Sequence, residues 1–101
     1  MTERRYPVYG EVDLALASEL QDELLAIVNS STDDLVLDCT GLEFVDSTGI
    51  AVFVHTQRLL ELQGRRFRIV NLGGMARRAF DLLGLSGVLS IEPETPQRRV
   101  S

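Results

Sequence analysis

The sequence has no lysine, only one cysteine, Cys39, and no apolar run long enough to cross a membrane as a helix. A lone cysteine excludes an internal disulfide, and because Cys39 closes an apolar run we expect a small buried side chain. The lack of lysine excludes a complete P-loop, which requires one. No apolar stretch follows Met1 to Arg5 as a signal peptide would require, so we expect a cytoplasmic protein.

Positive charge is also scarce, since ten arginines stand against 15 acidic residues and the formal net charge is −5. Proteins that bind nucleic acid usually carry a basic footprint, so this balance argues against a direct nucleic-acid partner. An acidic surface fits a basic patch on a protein partner instead. The 101 residues, 45% of them hydrophobic, predict a single domain over residues 1–101 that buries a core without disulfides or metals.

Strand-like and helix-like patterns alternate along the chain, which is typical of an α/β fold. The predicted strands are Tyr6 to Tyr9, Leu35 to Cys39, Phe67 to Leu72 and Val88 to Ile91. The predicted helices between them run from Asp13 to about Ser30, from Ser47 or Thr48 to Gly64, and from Met75 to Leu83. Right-handed crossovers would build a small mixed or parallel sheet of about four strands with helices packed on it.

Three segments carry further expectations. Pro7 lacks an N–H, so the first strand is expected at an edge of the sheet. The apolar run Leu35 to Cys39 is typical of a strand buried on both faces, and Thr40 to Glu43 is expected to form a connection after it. Two prolines and few apolar residues predict a disordered tail from Glu92 to Ser101.

The motif that carries chemistry is Asp46-Ser47-Thr48-Gly49, which opens the second predicted helix. Asp46 or Ser47 is suited to cap that helix, because short polar side chains accept hydrogen bonds from the free N–H groups of the first turn. The same location would favour a phosphate on Ser47, since a helix N-terminus carries partial positive charge. From the residues alone, an N-cap and a phosphorylation site both stay open for Ser47.

Catalytic and metal-binding roles find little support. A serine hydrolase would need a glycine two residues before Ser47, where Val45 stands, and a general base within hydrogen-bond reach. The single histidine, His55, would lie about 12 Å further along the same helix and has no partner at metal-ligand spacing. Gly73-Gly74 is expected to form a tight turn rather than a phosphate-binding loop. We therefore expect a protein that is not an enzyme and holds no metal or cofactor.

Three segments together resemble the STAS family, which includes bacterial anti-sigma factor antagonists. The first is Gly10-Glu11-Val12-Asp13 with Ala17 and Leu20, similar to the family's entry into its first helix. The second is Val36 to Cys39 followed by Phe44 to Ile50, similar to the family's phosphorylation segment. The third is Ala79 to Leu85, similar to the family's third helix and its exit. The resemblance implies a STAS-like fold over most of the chain between Gly10 and Ile91.

The resemblance also implies a partner-switching cycle. In such a cycle the unphosphorylated antagonist binds an anti-sigma factor with a kinase-type ATP site, and a sigma factor is released. Phosphorylation of the motif serine weakens this binding, and a phosphatase reverses the modification. Carried onto this chain, the resemblance makes Ser47 the phosphoacceptor and puts Asp13, Asp46, Thr48 and Gly49 with it on the partner-binding surface. The residues alone favour Asp13 as the N-cap of the first helix, and the resemblance makes a partner contact an equal alternative.

The chain departs from the family pattern at both ends. Only five residues precede Tyr6, so the strand with which family members usually begin would be missing or very short. The edge left unpaired would invite a homodimer. The family's usual C-terminal helix also finds no match in Glu92 to Ser101.

Two other functions stay open at this point. The chain could be a soluble STAS subunit of a membrane lipid or anion transport assembly, although a purely structural subunit needs no hydroxyl at Ser47. It could also be a degenerate scaffold module in which Ser47 is never modified.

Overall fold

The structure is a computed structural model that describes residues 2–85 and 89–92. Within these residues four strands alternate with three helices. The strands are β1 (Glu3–Val12), β2 (Asp34–Val45), β3 (Phe67–Val70) and β4 (Ser90–Glu92). The helices are α1 (Leu14–Ser30), α2 (Ser47–Leu62) and α3 (Gly74–Leu82). The predicted α/β architecture of about four strands with helices between them is confirmed.

The strands form one sheet in the order β1-β2-β3-β4, and every described pair is parallel. Each strand is added beside the previous one in the same direction, so right-handed crossovers place all three helices on one face. Leu35 and Leu37 of β2 point to that face and join the apolar cluster formed with the helices. In this cluster Phe53 of α2 stacks on Phe80 of α3 with ring centroids 5.7 Å apart. The main core therefore lies between the sheet and the helices.

The opposite surface of the sheet, which we call the helix-free face, is covered in part by side chains that form ion pairs. Val36 is only 1% exposed there, and the strand register places it between Arg5 of β1 and Arg68 of β3. The Arg68 guanidinium donates to Glu3 on β1 at 2.9 Å and to Glu92 on β4 at 2.8 Å. To reach Glu3 the Arg68 side chain spans β2, and its apolar stem can shield Val36 from water. The predicted burial of β2 on both faces is confirmed at this residue, without a helix on the second face.

The first two strands are longer than predicted. β1 begins at Glu3 because Glu3 to Arg5, although polar, pair with Asp34 to Val36 of β2. Thr40 to Glu43 belong to β2, so the predicted connection is wrong. Two irregularities in the β1–β2 register let the longer β2 stay paired with β1 up to Val45. Gly10 lies at the second irregularity with φ of 72°, a conformation that glycine adopts without strain.

The later boundaries differ by a few residues. β3 ends at Val70 rather than Leu72, because Asn71 turns the chain with φ of 62°. β4 is described from Ser90, and Val88, where the last strand was predicted to start, lies outside the described residues. Glu92, predicted to open a disordered tail, is instead the last residue of β4, and the rest of that predicted tail also lies outside them.

Candidate functional site

The start of α2 is fixed by Asp46, which is its N-cap. The carboxylate accepts hydrogen bonds from the backbone N–H groups of Thr48 at 2.9 Å and Gly49 at 3.2 Å, and from the Thr48 hydroxyl. The bond from the Thr48 hydroxyl, helped by the backbone bonds, lowers the pKa of Asp46 below its usual value. Of the two caps that the sequence left open, Asp46 is the one that the structure uses.

This arrangement leaves the Ser47 side chain exposed at the start of α2. Ser47 is the first residue of α2 and is exposed, and none of the residues that the structure describes hydrogen-bonds its hydroxyl. The neighbouring Thr48 is half-buried, and its hydroxyl is committed to Asp46. Of the two adjacent hydroxyls in the motif, Ser47 is therefore the accessible one.

Gly49 is buried and holds the start of α2 against the ends of β1 and β2. A Cβ at this position would lie 2.5 Å from Cγ2 of Val45 and 2.8 Å from Cγ1 of Val12, which is too close for any side chain. The glycine therefore sets how closely the first turn of α2 approaches the sheet. Its contact with a partner stays a prediction, whereas the structure gives it a packing role.

Asp13 lies beside the motif at the end of β1. It is the N-cap of α1 and accepts a hydrogen bond from the Leu16 N–H at 3.2 Å, which confirms the capping interpretation. The preceding carbonyl, that of Val12, accepts a hydrogen bond from the Asp46 N–H at 3.2 Å. The structure thus brings Asp13, Asp46 and Ser47 together at the carboxyl-terminal end of the sheet, where β1 and β2 end.

A third carboxylate, Asp38, was expected near the same strand ends but lies elsewhere. β2 continues to Val45, so Asp38 stands mid-strand on the helix-free face, where its carboxylate pairs with Arg5 at 3.0 Å. Burial would raise the pKa of Asp38, but hydrogen bonds from Thr40, Asn71 and Arg5 lower it to about 2. Asp38 is therefore ionised and part of the sheet, not of the Ser47 site.

Two exposed aromatic residues near this end of the sheet were not predicted from the sequence. Tyr9 and Phe44 are 70% and 40% exposed, on strands where the remaining large apolar side chains mostly face the core. One signal in the sequence is Gly41, because β1 pairs Tyr9 with this glycine and the ring lies against it. An aromatic residue opposite a glycine indicates a ring that lies over the neighbouring strand.

Neither His55 nor Cys39 adds a catalytic group to the Ser47 site. His55 is exposed about two turns along α2 from Ser47. Burial raises the pKa of the Cys39 thiol to about 12, and the residue is 1% exposed, which confirms the expected small buried side chain. Within residues 2–85 and 89–92, no three His, Cys, Asp or Glu side chains are grouped so as to hold a metal ion. None of the helices described is long and apolar enough to span a bilayer.

The chain is similar to known proteins in sequence and in fold. The family model described as the STAS domain matches residues 4–97. The anti-sigma-B factor antagonist of Bacillus subtilis is 30% identical over 88 residues, which cover 87% of this chain and 80% of that protein. An anti-sigma factor antagonist from Mycobacterium paratuberculosis, known from a crystal structure, is 29% identical with a TM-score of 0.81, over 91% of this chain and 78% of its own.

The anti-sigma factor antagonist SpoIIAA has a similar fold at lower identity. Its unphosphorylated form is 19% identical with a TM-score of 0.80, over 95% of this chain and 83% of its own. The phosphorylated form of the Bacillus protein is 20% identical with a TM-score of 0.73, over 94% of this chain and 85% of its own. The family match includes the start of α2, and each of the other matches covers at least 87% of this chain.

Proposed function

Because the chain belongs to the STAS domain family, as its three sequence segments predicted, we propose that it is an anti-sigma factor antagonist. In its unphosphorylated form it binds an anti-sigma factor with serine kinase activity and so frees a sigma factor for transcription. Phosphorylation of Ser47 by that kinase switches the antagonist off, and a phosphatase restores it. The observation that carries this proposal is the exposed Ser47 at the first position of α2, beside an Asp46 that already caps the helix.

The fold is suited to tolerate a phosphate on Ser47. The N-terminus of α2 offers a partial positive charge, which stabilises an exposed anion by about 0.3 to 1 kcal/mol. The carboxylates of Asp46 and Asp13 repel the phosphate, but Asp13 and Ser47 are exposed and Asp46 is only half-buried, and such interactions at a surface are worth about 1 kcal/mol or less. The two effects are of similar size and opposite sign, so phosphorylation leaves the free energy of unfolding nearly unchanged.

Phosphorylation of Ser47 changes the affinity for a partner far more than it changes the stability of the fold. A phosphoserine adds about −1.5 to −2 charge at neutral pH, next to the carboxylates of Asp13 and Asp46. A partner that closes over Ser47 must strip water from this charge, and an unpaired buried charge costs about 3 to 5 kcal/mol. Since about 1.4 kcal/mol is a tenfold change in affinity, binding falls by about 100-fold or more.

The other residues of the site have supporting roles in this proposal. Asp46 and Thr48 fix the first turn of α2 and present Ser47, while Gly49 seats that turn on Val12 and Val45. Asp13 contributes negative charge to the same surface. The kinase and the phosphatase do the chemistry, so this chain itself is not an enzyme. It acts in the cytoplasm, where sigma factors work, without contacting nucleic acid or membrane.

The test uses the protein and every anti-sigma factor with a kinase-type ATP site that its genome encodes, each purified and assayed by biolayer interferometry. Wild type and Ser47→Ala are expected to bind one member of this panel with similar affinity, and Ser47→Asp to bind it at least about tenfold more weakly. Ser30→Ala, which removes an exposed hydroxyl at the far end of α1, is the matched control. No binding to any panel member, or equal binding by Ser47→Asp, would contradict the proposal.

We also propose that the chain self-associates only weakly through β1. β1 is an edge of the sheet, and within the described residues no strand covers its outer side. Pro7 offers no N–H to an added strand, which blunts this edge. Sedimentation velocity is expected to give a monomer at micromolar concentration and a dimer fraction that grows with concentration. A tight dimer at nanomolar concentration would contradict this proposal.

A further inference from the structure

Tyr9 and Phe44 form an exposed aromatic surface on the helix-free face. The register pairs Tyr9 with Gly41 and Glu11 with Phe44, so the two aromatic residues lie on adjacent strands near the ends of β1 and β2. Their neighbours Val8, Val12 and Val45 are buried on the helix side, which turns both rings away from the core. We call Tyr9, Gly41 and Phe44 the aromatic platform.

Gly41 is what allows the Tyr9 ring to lie over β2. A Cβ on Gly41 would stand 2.4 Å from Cδ1 and 3.0 Å from Cε1 of Tyr9. Any other residue would lift the ring off the strand or push it aside. The orientation of Tyr9 is therefore built into the sheet, although the side chain itself is 70% exposed. Tyrosine is enriched at the hot spots of protein–protein interfaces, and phenylalanine is enriched in their buried cores.

The backbone of β1 and β2 links the platform to the Ser47 site. Phe44 directly precedes Val45, which packs against Gly49 in the first turn of α2. Two residues after Tyr9, Glu11 pairs with Phe44, and the next residue, Val12, hydrogen-bonds the backbone of Asp46. The ends of β1 and β2 thus connect the two surfaces without an intervening element.

The charges around the platform define the partner that it fits. Glu11 and Glu43 are exposed beside it, and Asp13 and Asp46 lie at the adjacent strand ends. In a symmetric contact through this face, a second copy of the chain would bring the same carboxylates, which repel. A partner with arginine or lysine around an apolar patch would instead meet complementary charge, and its cations could stack on Tyr9.

We infer that the aromatic platform anchors the anti-sigma factor, which meets it with an apolar patch surrounded by basic residues. This inference rests on the proposed function and extends its binding surface from the start of α2 onto the helix-free face. Ser47 then acts as the switch within an interface whose affinity comes largely from Tyr9 and Phe44.

The experiment uses the panel member that binds wild type and loses affinity with Ser47→Asp. Tyr9→Ala and Phe44→Ala are each expected to weaken binding roughly tenfold or more. Gly41→Ala is expected to weaken it as well, because it displaces the Tyr9 ring without removing it. Tyr9→Arg is expected to lose more affinity than Tyr9→Ala, since it places a cation before a basic partner. Leu62→Ala, which truncates an 85% exposed side chain at the far end of α2, is the control and should bind like wild type.

The possible outcomes distinguish a failure of this inference from a failure of the proposed function. If Ser47→Asp weakens binding but Tyr9→Ala and Phe44→Ala bind like wild type, the platform is not part of the interface and only this inference fails. If Tyr9→Arg binds more tightly than Tyr9→Ala, the partner is not basic and the inference is wrong on that point. If no panel member binds wild type, the proposed function fails and this inference fails with it. Thermal unfolding of each variant beside Leu62→Ala shows whether a lost affinity reflects a lost fold.

Discussion

The hydrogen bonds to Asp38 give the fold a defined dependence on pH. Burial would raise the pKa of this carboxyl, but the hydroxyl and N–H of Thr40, with Asn71 and Arg5, lower it from 3.8 to about 2. In the unfolded chain these partners are lost and the pKa returns close to its ordinary value. Because the folded-state pKa is the lower one, the stabilisation is complete well above pH 4 and is lost as the pH falls towards 2. It amounts to about 2 kcal/mol of the free energy of unfolding at neutral pH.

Asp38→Asn removes this contribution while nearly keeping the shape of the side chain. We expect the variant to be about 2 kcal/mol less stable than wild type at pH 7, as measured by urea unfolding. As the pH falls from 7, protonation of Asp38 lowers the free energy of unfolding of wild type by about 1 kcal/mol at pH 3 and by about 2 kcal/mol at pH 2. The stabilities of wild type and Asp38→Asn therefore converge in acid. Asp22→Asn, at an exposed position of α1, controls for the loss of one charge. If the stability gap between wild type and Asp38→Asn were the same at pH 7 and pH 3, the reasoning would be refuted.

Three further outcomes follow from the site and the sheet. Gly49→Ala should destabilise by about 1 to 3 kcal/mol in urea unfolding, because its Cβ would meet Val45 at 2.5 Å. Alanine also favours a helix over glycine by about 1 kcal/mol, which Ala51→Gly measures separately, but this gain should not cancel the loss from the clash. A Gly49→Ala variant as stable as wild type would contradict the packing role. Asp46→Ala should cost about 1 kcal/mol in thermal unfolding through the lost cap, while Asp46→Ser should restore most of it; equal losses would argue against capping. Arg68→Met keeps an apolar side chain over β2 and should cost less than about 1 kcal/mol, with a smaller salt dependence than wild type; identical salt dependence would show that the ion pairs contribute nothing.

The helices and the order of elements were predictable because their signals are local. Apolar residues at helical spacing mark α1 and α2, and an aspartate precedes each of these two helices at the position where a cap is needed. The capping interpretations of Asp13 and Asp46 depended on this local chemistry. They hold because a helix start needs no distant partner.

The features that the sequence analysis missed depend on contacts between distant residues. Thr40 to Glu43 look like a connection by composition, and they are strand because β1 remains beside them. The packing role of Gly49 depends on Val12, which is far away in sequence and close only after folding. The exposure of Tyr9 follows from a sheet whose helices all lie on one face, and alternation within one strand cannot say which face that is.

The most direct test of the account is the mass of the protein after incubation with ATP and the panel kinase that binds it. Wild type is expected to gain one phosphoryl group, which fragmentation should place on Ser47, and the modified protein is expected to lose affinity for the kinase. Ser47→Ala should gain nothing, while Thr48→Val should still be modified. Full phosphorylation of Ser47→Ala, or a Ser47-phosphorylated protein that binds as tightly as the unmodified one, would contradict the claim that Ser47 is the switch.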